Sequence, residues 1–251
     1  MKNIYKTILL NREINHKMLA VLLDPDQCRG SVLASTIAAL KSNIPDFIFV
    51  GGSHTVNCID SLIELLKEEI KTNIVLFPGN AAQFSPNADA LLYLSLLSGR
   101  NAEFLIGQHV DSAVAIKKSD VEVIPTGYLL IDGGKLTSVE YISNTRPIPH
   151  DKKEIALSTA VAAELLGMKL VYLEAGSGAN TPVPYEMIKY VKAGLSLPLI
   201  VGGGIKSTEQ LIAAFNAGAD IVVVGNVFET KPTLISEFVD YAKAYGVIPE
   251  S

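Results

Sequence analysis

In Leu170-Val171-Tyr172-Leu173-Glu174-Ala175-Gly176-Ser177-Gly178-Ala179, an apolar run ends in a carboxylate and passes at once into a glycine-rich turn. The β-branched and aromatic residues, and the length of the run, suit a buried strand. Gly176 and Gly178 open backbone conformations closed to other residues and let backbone N–H groups approach an anion closely. Glu174 is therefore expected at a strand's C-terminal end beside an anion-binding loop, a candidate base next to a candidate phosphate. Two later stretches repeat the theme. Leu199-Ile200-Val201-Gly202-Gly203-Gly204-Ile205 runs into three glycines and is followed by Ser207-Thr208-Glu209, and Ile221-Val222-Val223-Val224-Gly225-Asn226 ends the same way. Three consecutive strand–glycine–helix units point to one phosphate site built from three loops. A parallel barrel commonly binds phosphate there, after its last strands and at a helix N-terminus.

Five more runs of the same kind precede these. Met18–Leu23 ends in Asp24-Pro25-Asp26, Phe47–Val50 runs into Gly51-Gly52-Ser53, and residues 74–77 stop at Pro78-Gly79. Residues 90–94 give a fourth strand, and a fifth begins over 121–125 and resumes through 128–131. Helices are expected over 2–15, where one can close the barrel bottom, and then over 31–42, from Ile59 through Leu66, and over 102–118, 154–167, 185–192, 209–217 and 233–245. Residues 80–87 are polar and carry Pro86, so they read as loop where the alternation calls for a full helix. Residues 139–142 alternate in the manner of an extra strand. Eight continuous apolar strands alternating with helices predict a (β/α)8 TIM barrel with a modified segment after the third strand. No linker-like boundary interrupts the 251 residues, so one domain is expected over 1–251.

Composition narrows the partners. The net charge of −5 and the absence of a Lys/Arg run argue against a nucleic-acid partner. The longest apolar stretch, 88–97, is too short to span a bilayer, and no signal peptide is evident. A cytoplasmic protein without a stable membrane anchor is expected. Cys28 and Cys58 lack metal-ligand spacing and read as reduced, structural thiols. No G-x-x-x-x-G-K-[ST] stretch exists, which argues against ATP binding through a P-loop.

Three constellations can carry chemistry. Asp24 and Asp26 follow the first strand, on the active face of a barrel, where a carboxylate either holds Mg2+ or caps the next helix; Asp26 fits the cap better. Ser53 and Thr55 follow the second strand and either cap a helix or reach a metal or phosphate. His54, His16, His109 and His150 have no partner spacing for zinc and read as exposed or hydrogen-bonded. Glu174 with Gly176, Ser177 and Gly178, joined by Gly203, Gly204, Gly225 and Asn226, forms the third, whose bland reading is ordinary turn glycine. The residues alone describe a phosphate-binding barrel enzyme with carboxylates near the phosphate, and leave its substrate open.

At Val21-Leu22-Leu23-Asp24-Pro25-Asp26, Val50-Gly51-Gly52-Ser53, Tyr172 through Ala179, Val201-Gly202-Gly203-Gly204-Ile205 and Val224-Gly225-Asn226, the chain resembles the geranylgeranylglyceryl phosphate synthase family, which includes bacterial heptaprenylglyceryl phosphate synthases. The likeness covers nearly the whole chain, and Tyr-Leu-Glu-Ala-Gly-Ser-Gly is its most specific part. It implies an Mg2+-dependent prenyltransferase that joins sn-glycerol 1-phosphate to a polyprenyl diphosphate. By motif, Asp24 and Ser53 take the Mg2+ positions. Tyr172, Leu173, Glu174, Ala175, Gly176, Ser177 and Gly178, with Gly203, Gly204, Gly225 and Asn226, hold glycerol 1-phosphate, and Glu174 is the base. An apolar trough for the prenyl chain is expected near the modified segment, with Phe77, Phe84, Tyr93 and Tyr128 as liners. Leu22 departs from relatives that carry Lys there, which moves the resemblance toward the archaeal-type branch, often homo-oligomeric. A phosphosugar isomerase, a thiamine-phosphate-synthase-like transferase or a non-catalytic phosphometabolite-binding barrel are the alternatives; the first two call for a polar groove between strands three and five.

Overall fold

A computed structural model describes residues 3–53 and 55–245; the reading of His54 lies outside them. In chain order the elements are α1 (Ile4–Glu13), β1 (Met18–Leu23), α2 (Gly30–Ser42), β2 (Phe47–Val50), α3 (Ile59–Glu69), β3 (Asn73–Leu76), β4 (Ala90–Leu96), α4 (Gln108–Lys117), β5 (Glu122–Leu130), α5 (Ser138–Ser143), α6 (Lys153–Leu165), β6 (Leu170–Glu174), α7 (Tyr185–Ala193), β7 (Leu199–Gly202), α8 (Thr208–Asn216), β8 (Ile221–Val224), α9 (Asn226–Thr230) and α10 (Leu234–Ala244). All eight strands are parallel and close in sequence order, with Met18 of β1 opposite Ile221 of β8. The (β/α)8 barrel is the architecture that the strand pattern predicts.

Alternation along each strand sorts the core into two layers. Met18, Ala20, Phe47, Phe49, Ile124, Leu170, Tyr172, Ile200 and Val223 fill the barrel. Leu19, Val21, Ile48, Val50, Val171, Leu173, Val201 and Val222 face the helices. Because both faces are covered, the strands read as unbroken apolar runs. Glu174 shares the parity of Leu170 and Tyr172, and Asp24 that of Met18 and Ala20, so both carboxylates belong to the inward set at the C-terminal rim. The opposite end is stoppered by α1, whose Ile4 and Ile8 join the inner layer. Glu122 at the start of β5 fastens this stopper, accepting from the N–H groups of Ile4 at 2.5 Å and Tyr5 at 3.1 Å.

Four local readings are corrected. Residues 139–142 lie in helix α5, not in an extra strand. Thr137 accepts from the Glu140 N–H at 3.4 Å, and the Thr-x-x-Glu spacing of a capping box outweighs the alternation. The expected helix over 102–118 opens with a π-helical turn, Glu103–Gly107, before α4 begins. The fifth strand runs unbroken through Pro125: the β5–β6 ladder starts only at Thr126 opposite Leu170, so the donor proline lacks is not needed. Neither Ser53 nor Thr55 caps α3, which starts at Ile59 after Cys58. The loop reading of residues 80–87 is close, since that segment holds one 3-10 turn, Ala81–Gln83, capped by Asn80. The ring of helices is therefore thin between β3 and β4.

Removing the Glu122 carboxylate leaves two N–H groups of the first helical turn unpaired. Glu122→Ala is expected to lower the urea midpoint at unchanged m, a loss of about 1–2 kcal/mol; an unmoved midpoint means that Ile4 and Ile8 hold the stopper by themselves.

Candidate active site

The strand C-terminal ends surround a polar cavity of about 640 Å3. The structure brings Asp24, Ser53, Tyr172, Glu174, Ser177, Gly178, Gly203, Gly204, Gly225 and Asn226 to its wall. Leu173 and Ala175 are different: their side chains pack in the outer layer against the helices. Gly176 is buried and turns its N–H to Glu174.

Glu174 is the most deeply buried carboxylate of the cavity wall. It is 6% exposed, and its Oε1 accepts from the Gly176 N–H at 2.7 Å. Burial pushes its carboxyl up to about 7, against the partial relief given by the nearby Tyr172 hydroxyl and the Gly176 amide. Tyr172 is fully buried, and its Oη stands near that carboxylate without a hydrogen-bonding alignment to it or to any other group among the described residues. A buried hydroxyl without a partner is costly, so Tyr172 Oη is a donor and acceptor available to a ligand. Gly203, at φ +79°, lies so close to the Glu174 carboxylate and to the amides of Ala175 and Gly176 that any Cβ would collide with them. Gly176, Gly178 and Gly204 also have positive φ, so the turn conformation expected of this motif is present.

Asn226 Oδ1 accepts from the Gly178 N–H at 2.9 Å and from Ser177 Oγ at 3.1 Å. It covers two donors of the β6 loop that an anion oxygen would otherwise meet. Glu229 accepts from the Asn226 amide at 3.3 Å and also lines the cavity. Glu229 carries no sequence signal, because nothing in a five-residue helix after β8 announces that it stands near Asp24. Burial raises both carboxyls, and the Asp24 charge adds to the rise at Glu229. Neither is in an ion pair among the described residues. Asp24 is not a helix cap: its Oδ1 accepts from the Asp26 N–H at 2.8 Å, and α2 begins later, after Arg29. Nor does Asp26 cap α2. It accepts from the N–H groups of Val56 at 2.9 Å and Asn57 at 3.1 Å, tying the β1 loop to the β2 loop.

A second, apolar cavity opens where the helix ring is thin. Phe77, Phe84, Tyr93 and Tyr128 all line it, with Leu92, Phe104 and Ile116 among the others. It shares Gly52, Ser53, Phe77, Tyr128, Val139 and Ile142 with the polar cavity. Gln83 holds the thin segment in place, donating to the Gly52 carbonyl and accepting from the Gly79 N–H, each at 2.9 Å. Of the histidines, His16 bonds Asp46 Oδ1 at 2.8 Å, His150 is exposed, and buried His109 bonds Ser95 Oγ at 3.3 Å along the trough.

A closed parallel barrel with a buried carboxylate and glycine-rich loops at the strand C-terminal ends is a (β/α)8-barrel enzyme. The chain belongs to the PcrB family, whose family model matches residues 11–242. It is similar to the geranylgeranylglyceryl phosphate synthase of Chitinophaga pinensis, 49% identical over 242 residues that cover 96% of each chain. The enzyme of that name from Thermococcus kodakarensis is 44% identical over 216 residues, 85% of this chain and 84% of its own. Among solved structures, (S)-3-O-geranylgeranylglyceryl phosphate synthase from Thermoplasma acidophilum, in complex with its substrate sn-glycerol-1-phosphate, matches at TM-score 0.89 and 33% identity, covering 97% of this chain and 99% of that one.

The raised Glu174 carboxyl carries a stability consequence. The folded protein binds this proton more tightly than the unfolded chain, so the group's contribution falls as pH rises from about 4.5 to about 7. Glu174→Gln is expected to be more stable than the parent at pH 8, by up to about 3 kcal/mol, and to lose that advantage near pH 4.5. Calorimetry at the two pH values measures it; a variant destabilised at pH 8 would mean the carboxylate is well solvated.

Proposed function

We propose that the chain transfers a polyprenyl group, with geranylgeranyl the expected one, from its diphosphate to the 3-hydroxyl of sn-glycerol 1-phosphate. On this reading it is an Mg2+-dependent prenyltransferase making an ether phospholipid precursor, with the whole chain acting as one catalytic domain. The observation that carries it is the junction at Ser53, Phe77 and Tyr128, where a carboxylate-bearing polar cavity runs directly into an apolar trough. A phosphosugar barrel has no use for that trough.

The residues supply the steps. Amides of the β6, β7 and β8 loops at Gly178, Gly204 and Asn226 receive the phosphate, which displaces the Asn226 side-chain carbonyl from the Gly178 N–H. Tyr172 Oη, without a protein partner among the described residues, orients the glycerol hydroxyls. Glu174 takes the proton of the 3-hydroxyl as its oxygen bonds to C1 of the prenyl chain; the bond from C1 to the diphosphate breaks, and diphosphate leaves. A carboxyl near 7 is matched to accepting a proton at neutral pH. Phe77 and Tyr128, with rings 6.0 Å apart, shield the reacting carbon from water, and the hydrocarbon tail lies in the trough.

The donor set fits a divalent cation bound in part by substrate. Among the described residues no group of three or more His, Cys, Asp or Glu could hold a metal. Asp24 and Glu229, two half-buried carboxylates without a cationic partner among the described residues, suit Mg2+, which binds one or two carboxylates and completes its shell with water and substrate oxygens. Asp24, Glu229 and the Ser53 hydroxyl would hold it, and it would supply neutralisation of the leaving diphosphate's charge. Among the described residues no helix is long and apolar enough to cross a membrane. A homo-oligomer in the cytoplasm completes the reading; exposed Ile106, Val110 and Val114, at helical spacing, give the oligomer an apolar surface.

Incubating the protein with labelled glycerol 1-phosphate, Mg2+ and prenyl diphosphates of several lengths should give label extractable into organic solvent; none from folded protein would overturn the assignment. In the same assay Glu174→Gln should lower turnover by about 100-fold or more while glycerol 1-phosphate still binds; undiminished turnover removes Glu174 as base. Asp24→Asn should shift half-saturation by Mg2+ upward, and an unaltered metal dependence takes Asp24 out of the site.

A further inference from the structure

The polar cavity is poor in positive charge. Three carboxylates, Asp24, Glu174 and Glu229, line it, and Lys206 is the one cationic side chain among its described wall residues. A phosphate dianion held by backbone N–H groups alone would face that field unaided, and Leu22 offers it nothing. We infer that Lys135 and Lys206 form a two-lysine clamp on the phosphate of sn-glycerol 1-phosphate, an assignment that rests on the function proposed above.

Both ammonium groups converge on one turn. Lys135 follows Gly133-Gly134 in the segment between β5 and α5. That segment is fastened to the β6 loop: the Asn180 N–H donates to the Gly133 carbonyl and Asn180 Nδ2 to the Gly134 carbonyl, each at 2.9 Å. Asp132 Oδ1 accepts from the Gly134 N–H at 2.9 Å and fixes the turn itself. So anchored, Lys135 Nζ stands 3.1 Å from the point a Cβ on Gly178 would occupy, beside a residue of the cavity wall, while Lys135 itself lines the adjoining groove with Asp132 and Glu140. Lys206 comes from the β7 loop. Gln210 accepts from its backbone N–H at 2.6 Å, and its Nζ donates to the Asn180 carbonyl at 3.3 Å.

Neither lysine is in an ion pair among the described residues, and both are exposed. Each charge is therefore free to meet an anion without first breaking a salt bridge. Charge-assisted hydrogen bonds are roughly twice as strong as neutral ones, so two of them add substantially to the neutral N–H donors. Because the ammonium groups are solvated, their pull is screened by salt more than that of the backbone amides.

Calorimetric titration of sn-glycerol 1-phosphate at low and moderate salt tests the clamp, using the full chain and its K135M, K206M, K135R and K206R variants. Each methionine variant should weaken binding about tenfold, flatten its salt dependence, and raise KM for glycerol 1-phosphate but not for the prenyl diphosphate. The arginine variants should stay within about threefold of the parent. Unchanged affinity in both methionine variants, a loss confined to one of them, or a rise in the prenyl diphosphate KM instead would overturn the clamp. Failure of the parent itself to bind glycerol 1-phosphate would overturn the proposed function, a result distinct from any of these.

Discussion

Glu174 is a carboxylate inside the barrel with one fixed hydrogen bond, from the Gly176 N–H, and no cationic partner among the described residues. Burying an ionisable group this way is costly, and proteins usually avoid it by pairing the charge. Here the surrounding structure enforces it. The parity of β6 points Glu174 inward behind Tyr172, Gly203 leaves room for the carboxylate, and the turn at Gly176 aims an amide at it. The group is left poised between protonated and ionised forms near neutral pH. Its proton affinity is thus a product of the fold around it, not of any one neighbour.

The two cavities follow from one economy in the architecture. A complete helix between β3 and β4 would cover the barrel side; one 3-10 turn does not. The π-helical turn ahead of α4 adds to the opening, because it widens the helix where Phe104 lines the trough. Phe49, Phe77, Tyr128 and Tyr172 then stack from the barrel interior toward that gap, with Phe77 and Tyr172 centred 5.3 Å apart. These rings mark the boundary between the two cavities: Phe77 and Tyr128 line both, and Tyr172 lines the polar one. An enzyme joining a charged glycerol phosphate to a hydrocarbon needs that boundary at the reacting atoms.

How much of this could be read in the chain depended on whether the signal was local. Apolar runs of strand length located all eight strands, and strand parity alone turns Glu174 inward and Leu173 outward. The Gly176-Ser177-Gly178 turn was legible because its conformation is dictated by glycine itself. Glu229 and Lys135 were not, since each acquires its meaning only when distant loops meet: Glu229 near Asp24, Lys135 over Gly178. The segment over 139–142 misled because alternation and the Thr137–Glu140 cap compete within six residues, and the backbone follows the cap. Asp26 misled for a tertiary reason, its carboxylate being taken by the amides of Val56 and Asn57.

The charges of the site also bear on the order of events. A phosphate dianion arriving beside Glu174 opposes ionisation of the carboxyl, whereas lysine ammonium groups or a divalent cation favour it. On the proposed reading, opposite charges arriving together leave the Glu174 carboxyl near its value of about 7. Phosphate alone would push the carboxyl further up, and cations alone would pull it down. Coupling through one buried carboxylate would let the filled site keep a proton affinity that either ligand alone would disturb.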